Sequence, residues 1–541
     1  MLYETKPWVT HYDEGVPENI DIPEISLVDL FRASVKTYGS STCTIFDDQP
    51  LTYEEIDRFS EAVARYLISR GIKPGDRVGL LLPNTPTFVI GYFGILKAGG
   101  VVMALNPAYR PKELEALSVE SGVRILISSK VAYPATKQIQ AHTPIESIIV
   151  DGVESDILDD HDIGWERLIE TYADGEKINM DIKPDNPAVF QYSGGTTGTP
   201  KCAVGLHRNL VANVFQFSRW LVNTEAGKET VLVAIPLYHV YGMVLGMNLA
   251  IKMGAKMVLI PNPGDLDHLL NAIEHQQATI FPGVPNLYGA INAYQPVLAG
   301  DYDLSSIKAC ISGSATLPKK VKEDFETLTN GHLVEGYGLS EAPTATHCNP
   351  ILGENRTGSI GLPLPSVRCK VVDIETGEQE VPVGEIGELI LQGPQVMQAY
   401  HQQPEETALV LRDSWLYTGD IVHMDESGYF YLVDRKKDVI KVGGFQVWPN
   451  EIEAVIMGHP KVREVAVAGV RDQHGNEVAK AWVVLQPGEV CSEDEIKEYC
   501  VPFLTRYKIP KFIEFRESLP RTRVGKVLRR VLTAEHNQEN P

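Results

Sequence analysis

The sequence predicts an α/β protein: a large N-terminal domain of two doubly wound α/β subdomains plus an antiparallel, β-barrel-like subdomain, followed by a small α+β domain. Three observations carry this. Short apolar runs alternate with helix-length segments over residues 51–150 and again over 230–310, as parallel strands joined by crossover helices require. From 358 to 431 the runs shorten and are spaced by Gly and Pro, which suits antiparallel strands and tight turns. The charged run Asp434-Arg435-Lys436-Lys437-Asp438 then precedes a new segment with its own apolar runs.

Each element has its own signal. Tyr53 to Gly71 carries Ile56, Phe59, Ala62, Val63, Tyr66 and Leu67 on one helical stripe. RVGLLLPN is a strand ending in a turn, Thr87 to Ala98 is a buried helix, and VVMALNP and RILISS are further strands. The pattern recurs in VLVAIPL, MVLIP, TIFPGVP and KACISGS. CKVVDIETGE, GELILQGP and YFYLVD supply the antiparallel strands, and VAVAGV and AWVVLQ those of the last domain. The expected boundaries are 1–433 for the N-terminal domain, with its β-rich part at about 350–433, then 434–438 as a connector and 439–541 as the C-terminal domain. TAEHNQENP at the end is expected to be a disordered tail.

Composition narrows the function. The 541 residues are 43% hydrophobic and 22% charged, with a net charge of −22. So acidic a chain is unsuited to gripping a nucleic-acid backbone. From Asp434 onward there are 18 Lys+Arg against 16 Asp+Glu, a net of +2, which leaves −24 on the first 433 residues. An anionic ligand is therefore expected nearer the C-terminal segment. The seven cysteines form no CxxC and no metal or disulfide spacing, which fits a reducing cytoplasm. The start, MLYETKPWVTHYDEG, has the character of neither a signal nor a transit peptide. Phe88 to Leu105, the most apolar stretch, is broken by Lys97, Gly99 and Gly100, so no transmembrane span is expected, while peripheral contact with the inner face of a membrane stays open.

The strongest local motif follows the apolar AVFQ: Ser193, Gly194, Gly195, Thr196, Thr197, Gly198, Thr199, Pro200, Lys201. Glycines allow close approach to a phosphate, hydroxyls donate to it, and a lysine neutralises it. A Walker loop would need Gly before the Lys and Ser or Thr after it; Pro200 and Cys202 stand there instead. No GxGxxG opens a helix after the first strand, against a dinucleotide-binding dehydrogenase. Gly338-Leu339-Ser340-Glu341-Ala342 partly matches a hydrolase nucleophile elbow, but it ends in Ala and no HGGG-type segment lies upstream.

SGGTTGTPK resembles the phosphate-binding signature of the adenylate-forming enzymes: acyl-CoA synthetases, luciferases and adenylation domains. The remaining motifs follow in that family's order: PLYHVYG (236–242), SGSATLP (312–318), EGYGLSEA (335–342), GEIGELILQGPQVMQAY (384–400), WLYTGD (415–420), DRKKDVIKVGGFQVWPNEIE (434–453) and LPRTRVGKVLRR (519–530). The resemblance spans nearly the whole chain. PWVTHY, FPGVPNLY (281–288) and LVEGYGLSEA are most similar to bacterial-type long-chain fatty acid–CoA ligases. Cys202-Ala203 and Ser414 depart from the family pattern without touching a named role.

The resemblance implies a two-step reaction with ATP, Mg²⁺ and coenzyme A. A fatty acid carboxylate attacks the α-phosphorus to give acyl-AMP and pyrophosphate, and a thiol then displaces AMP. It places the phosphates on the 193–201 loop, with Lys201 assisting; Mg²⁺ on Glu341 and Ser193; and the nucleotide among Gly313, Ser314, Glu335, Gly336, Tyr337, Gly338 and Ser340. Asp420 would accept from the ribose hydroxyls with Arg435 beside it, and Lys526 would bridge the substrate carboxylate and α-phosphate. The family's mobile C-terminal lid pivots at Lys437 and then presents the catalytic Lys441, together with Gln446 and Gly444, the last lining a tunnel for the CoA thiol. His239, Val240, Tyr241, Gly242 and Gly283 would border the acyl pocket. For His239 a plain core role is an equal reading, Gly443-Gly444 fits a simple hairpin turn, and Glu341 and Asp420 fit a helix-start acid and a turn residue. Medium-chain or aryl acids, or a carrier-protein acceptor, remain alternative substrates, and monomer and homodimer are both open.

Overall fold

The computed structural model describes residues 2–153, 158–192, 201–442, 445–473, 476–522 and 526–539. Helix Tyr53–Ser69 begins where the sequence places it because Thr52 and Glu55 cap one another: the Thr52 hydroxyl accepts from Glu55 N, and the Glu55 carboxylate accepts from Thr52 N at 2.8 Å. Its apolar stripe packs against helix Pro86–Lys97, which is buried on nearly every side. That explains why this second helix is apolar all round. Its Lys97 is sealed in the core and neutralised by Asp57 at 2.5 Å and Glu61 at 3.2 Å.

Two large sheets form the body. The first has eight strands and is parallel through Pro187–Tyr192, Val101–Ala104, Arg77–Leu81, Ile125–Ser129 and Ser147–Asp151. On one side it ends in the antiparallel Cys202–Leu206 and the short Ala399–Tyr400. The second has nine strands, with a parallel centre running through His332–Leu339, Ala309–Ser312, Ile280–Gly283, Thr230–Val233 and Lys256–Leu259. Thr42–Phe46, far away in sequence, adds to it in parallel beside Lys256–Leu259.

The β-rich part is a five-stranded antiparallel sheet of Arg368–Val372, Gly387–Gln392, Leu411–Arg412, Trp415–Met424 and Phe430–Arg435. It is less self-contained than the segment from 350 to 433 suggests, since Leu362–Pro363 joins the second sheet and Ala399–Tyr400 the first. The smaller C-terminal domain has a hairpin, Ile440–Val442 with Phe445–Val447, and a sheet of Val462–Arg471, Glu477–Leu485 and Phe512–Phe515.

One expectation fails. TAEHNQE is not a disordered tail: Arg529–Glu539 is a helix. Leu532 and His536, one turn apart, are both buried, and His536 Nδ1 lies 2.9 Å from Lys480 Nζ on the adjoining strand. A polar segment with a single buried edge has too weak a periodicity to be read as helical. Among the described residues no helix is long and apolar enough to cross a membrane.

Candidate active site

Parallel strands leave their carboxyl ends open, and ligands of open α/β sheets bind there. His239 follows strand Thr230–Val233, Gly283 ends the neighbouring strand Ile280–Gly283, Gly313 follows Ala309–Ser312, and Gly336 lies within His332–Leu339. Tyr241 binds three of these segments together. Its hydroxyl donates to Gly283 O at 3.1 Å and Ile311 O at 2.5 Å, and its ring touches the position a Gly313 side chain would take, 3.2 Å away. Gly242 opens a wide-turned helix, Gly242–Asn248, buried throughout and rich in Met and aliphatic side chains. A Cβ on Gly242 would meet Pro236 O at 2.4 Å, so glycine is required. Ser314 holds φ +71°, the left-handed region that non-glycine residues seldom enter.

Two carboxylates face this rim. Asp420, buried in strand Trp415–Met424, accepts from the Tyr337 hydroxyl at 2.6 Å and pairs with Arg435 Nε at 3.1 Å. Burial, and then the Asp420 charge, push the Tyr337 phenol far up, so it remains a donor. Glu341 sits at the turn between His332–Leu339 and Ala342–Cys348, and its Oε1 accepts from the Tyr400 hydroxyl at 2.7 Å. Glu341 is only partly buried and offers hard oxygens, so the donor chemistry fits Mg²⁺. Lys201 is ion-paired with Glu406 and lies 5.2 Å from the centroid of the Tyr400 ring.

Lys526 is brought to this rim from the C-terminal domain. It lies at the end of a narrow hairpin: Arg521 bridges Val527, Thr522 N donates to Lys526 O at 2.8 Å, and Lys526 N donates to Thr522 Oγ1 at 3.1 Å. Its side chain keeps access to solvent yet stands among the walls of a cleft. That enclosure, and then repulsion from Arg435, pull the ammonium down to about 8 against the pull of Asp420 and Glu341. The same neighbourhood holds Lys437, lowered first by burial and then by Arg435. His239 is within the field of Lys526; enclosure, then that cation, depress it to about 4, so the imidazole is neutral. Its Nδ1 accepts from Tyr241 N at 3.2 Å, which puts the proton on Nε2.

Not every expected residue joins this cluster. Lys441 and Gln446 pair across the hairpin of the C-terminal domain, where Lys441 N donates to Glu477 at 3.2 Å. No described interaction links either to Asp420 or Glu341. Residues 193–200 and Gly443-Gly444 lie outside the described residues. The buried carboxyl of Glu335, expected beside the nucleotide, accepts from Leu317 N at 3.1 Å and so anchors the 313–318 loop. Gly336 and Gly338 serve the backbone. A Cβ on Gly338 would fall 1.7 Å from Thr344 O. Gly338 to Ala342 is a β-hairpin turn, with Leu339 opposite Ala342, rather than the strand–turn–helix of a nucleophile elbow. Sequence reasoning gave no role to Tyr400 or Glu406, because their importance comes from contacts more than 50 residues apart in the chain.

Comparison with known proteins finds relatives over nearly the whole chain. The family profile described as AMP-binding enzyme matches residues 31–401, and that described as AMP-binding enzyme C-terminal domain matches 451–526. A long-chain-fatty-acid–CoA ligase of Bacillus subtilis is 39% identical over the full length of both chains. One of Escherichia coli O6:H1 is 36% identical over 98% of each. Among solved structures, ATP-bound MatB from Rhodopseudomonas palustris superposes with a TM-score of 0.85 at 27% identity, covering 96% of this chain and 100% of that one. The anthranilate–CoA ligase AuaEII in complex with anthranoyl-AMP gives 0.84 at 27%, covering 95% and 98%.

Proposed function

Because this chain belongs to the adenylate-forming family of AMP-binding enzymes, we propose that it is a long-chain fatty acid–CoA ligase. It activates a fatty acid with ATP to acyl-AMP and pyrophosphate, then passes the acyl group to coenzyme A with release of AMP. One observation carries the reading: a lysine from the C-terminal domain, Lys526, stands within the field of Asp420, Glu341 and Arg435. Two anions, a carboxylate and a triphosphate, must approach one another for the first step, and a cation between them lowers that barrier.

The roles follow from the chemistry of each group. Asp420, held by Tyr337 and Arg435, accepts hydrogen bonds from the ribose hydroxyls of ATP. The Tyr337 ring supports adenine beside Gly313 and Ser314. Lys201 leaves Glu406 for the terminal phosphates, on the loop that also includes Ser193. Glu341 holds Mg²⁺, which when bound offsets phosphate charge. Lys526 draws the fatty acid carboxylate to the α-phosphorus. The acyl chain extends beside Val240, Tyr241 and Gly242, where neutral His239 closes the polar end. For the thiol step the lid turns about Lys437, which brings Lys441, Gly444 and Gln446 to face the acyl-AMP. The enclosed, Met-rich helix 242–248 suits an apolar tail. The test is AMP release with CoA across acids from acetate to oleate plus aryl acids: a maximum at long chains supports the assignment, and a maximum at short or aryl acids overturns it.

A further inference from the structure

We infer that Tyr400 is a positioning residue for adenylation, whose hydroxyl fixes the Glu341 carboxylate for the divalent cation while its ring seats the Lys201 ammonium. The inference rests on the proposed adenylation chemistry. The carboxylate of Glu341 turns about a broad terminal torsion, and the Tyr400 hydroxyl at 2.7 Å pins one of its oxygens. The backbone is pinned as well, since Met397 N donates to Glu341 O at 2.8 Å. The other face of Tyr400 carries Lys201 at 5.2 Å from the ring centroid, a cation–π separation.

The placement is built rather than incidental. Tyr400 is only 6% exposed. Its strand pairs with Cys202–Leu206, Tyr400 opposite Ala203, so Lys201 and Tyr400 leave one edge of one sheet. Tyr400 N donates to Thr407 Oγ1 at 3.0 Å, and Thr407 shares helix Pro404–Val410 with Glu406, the ion partner of Lys201. The metal carboxylate and the phosphate lysine thus refer to a single ring.

The test uses full-length protein and two measurements besides turnover. Thermal stabilisation by ATP is followed with EDTA and across a Mg²⁺ titration, for the natural chain, Tyr400→Phe, Glu341→Gln and the double variant. Tyr400→Phe keeps the buried ring and the seat for Lys201, so the shift given by ATP with EDTA should be unchanged. The Mg²⁺ needed for half the additional shift should rise ~10–100-fold, the usual penalty for losing a partner behind a metal ligand. If Tyr400 acts through Glu341, adding Tyr400→Phe to Glu341→Gln should cost nothing more. A Mg²⁺ titration of Tyr400→Phe equal to that of the natural chain overturns the inference. So does a further equal loss in the double variant, which marks Tyr400 as a packing residue. If the natural chain itself gains no Mg²⁺-dependent stabilisation from ATP, the adenylation reading falls, and the inference with it.

Discussion

Replacing Glu335 by glutamine should stabilise this protein, increasingly so as the pH rises from acid to neutral. The carboxyl lies at the end of a central strand, 6% exposed, with Leu317 N as its hydrogen-bond donor. Burial pushes it from an ordinary 4.5 up to about 8, with that one backbone hydrogen bond pulling the other way. Between those limits the folded protein holds a proton that the unfolded chain releases. Stability is therefore full below pH 4.5, falls as pH climbs through the window, and is level above 8. At about 1.4 kcal/mol per pH unit, the loss accumulated by pH 7 is about 3 kcal/mol. Glutamine cannot ionise and keeps an oxygen for Leu317 N. Urea unfolding of both proteins at each pH from 5 to 9 measures the difference directly, and properties common to the two chains cancel. The variant should gain about 3 kcal/mol relative to the natural chain between pH 5 and 7 and nothing more beyond pH 8 or so. Parallel curves across the whole range would refute the assignment of a buried, proton-holding carboxyl.

Lys526→Ala should lower ATP–pyrophosphate exchange at least ~100-fold while sparing thioester formation from supplied acyl-AMP; unchanged pyrophosphate release in that variant rejects the role. Because the Lys526 ammonium is set to about 8, it is charged below that value, so kcat/KM for adenylation should fall from pH 7 to 9. In a Lys526→Arg variant with residual activity that limb should vanish, since guanidinium stays charged, and a limb that persists assigns it to another group. Gly338→Ala forces a Cβ to within 1.7 Å of Thr344 O, so the turn carrying Ser340 and Glu341 must shift and ATP-induced stabilisation should be lost; retained binding sinks the argument. Leu532→Ala should destabilise the C-terminal domain by about 2–5 kcal/mol, read from hydrogen exchange of strand Val462–Arg471, and an unaltered exchange pattern would mean that the last helix contributes nothing.

Much of the fold is legible because its signals are local. Helix Tyr53–Ser69 declares itself by its apolar stripe, and the parallel strands by short apolar runs between helices. Strand order is a different kind of information. Nothing near Thr42–Phe46 says that it will add to a sheet whose next strand begins at Lys256, nor does Ala399–Tyr400 show that it will edge the first sheet. The same distinction governs the site. Motifs contiguous in the chain, such as 335–342 and 415–420, identify Glu341, Tyr337 and Asp420 as candidates, whereas the pairing of Tyr400 with Glu341 and of Glu335 with the 313–318 loop depends on packing. The helix at Arg529–Glu539 escapes a reading of periodicity because burial of Leu532 and His536 by a sheet, not an apolar face, stabilises it.

The charge division between the two halves of the chain needs a more local explanation than a basic lid over an acidic body. Screening at physiological salt reaches only about 8 Å, so most of the −24 on the first 433 residues is invisible to a bound triphosphate. On the proposed reading it meets Lys201 from the body and Arg435, Lys437 and Lys526 from the segment after 433, facing Asp420 and Glu341. These cations also repel one another: burial first, and then Arg435, depress both Lys526 and Lys437. Protein that holds cations together at that cost is organised for an anion, because adding negative charge relieves the repulsion and returns Lys526 toward its ordinary value. Binding of ATP near pH 8 must then take up protons, and the lid gains its attraction for the body from the nucleotide itself. The near-neutral total of the C-terminal segment matters less than which three of its cations stand at the cleft.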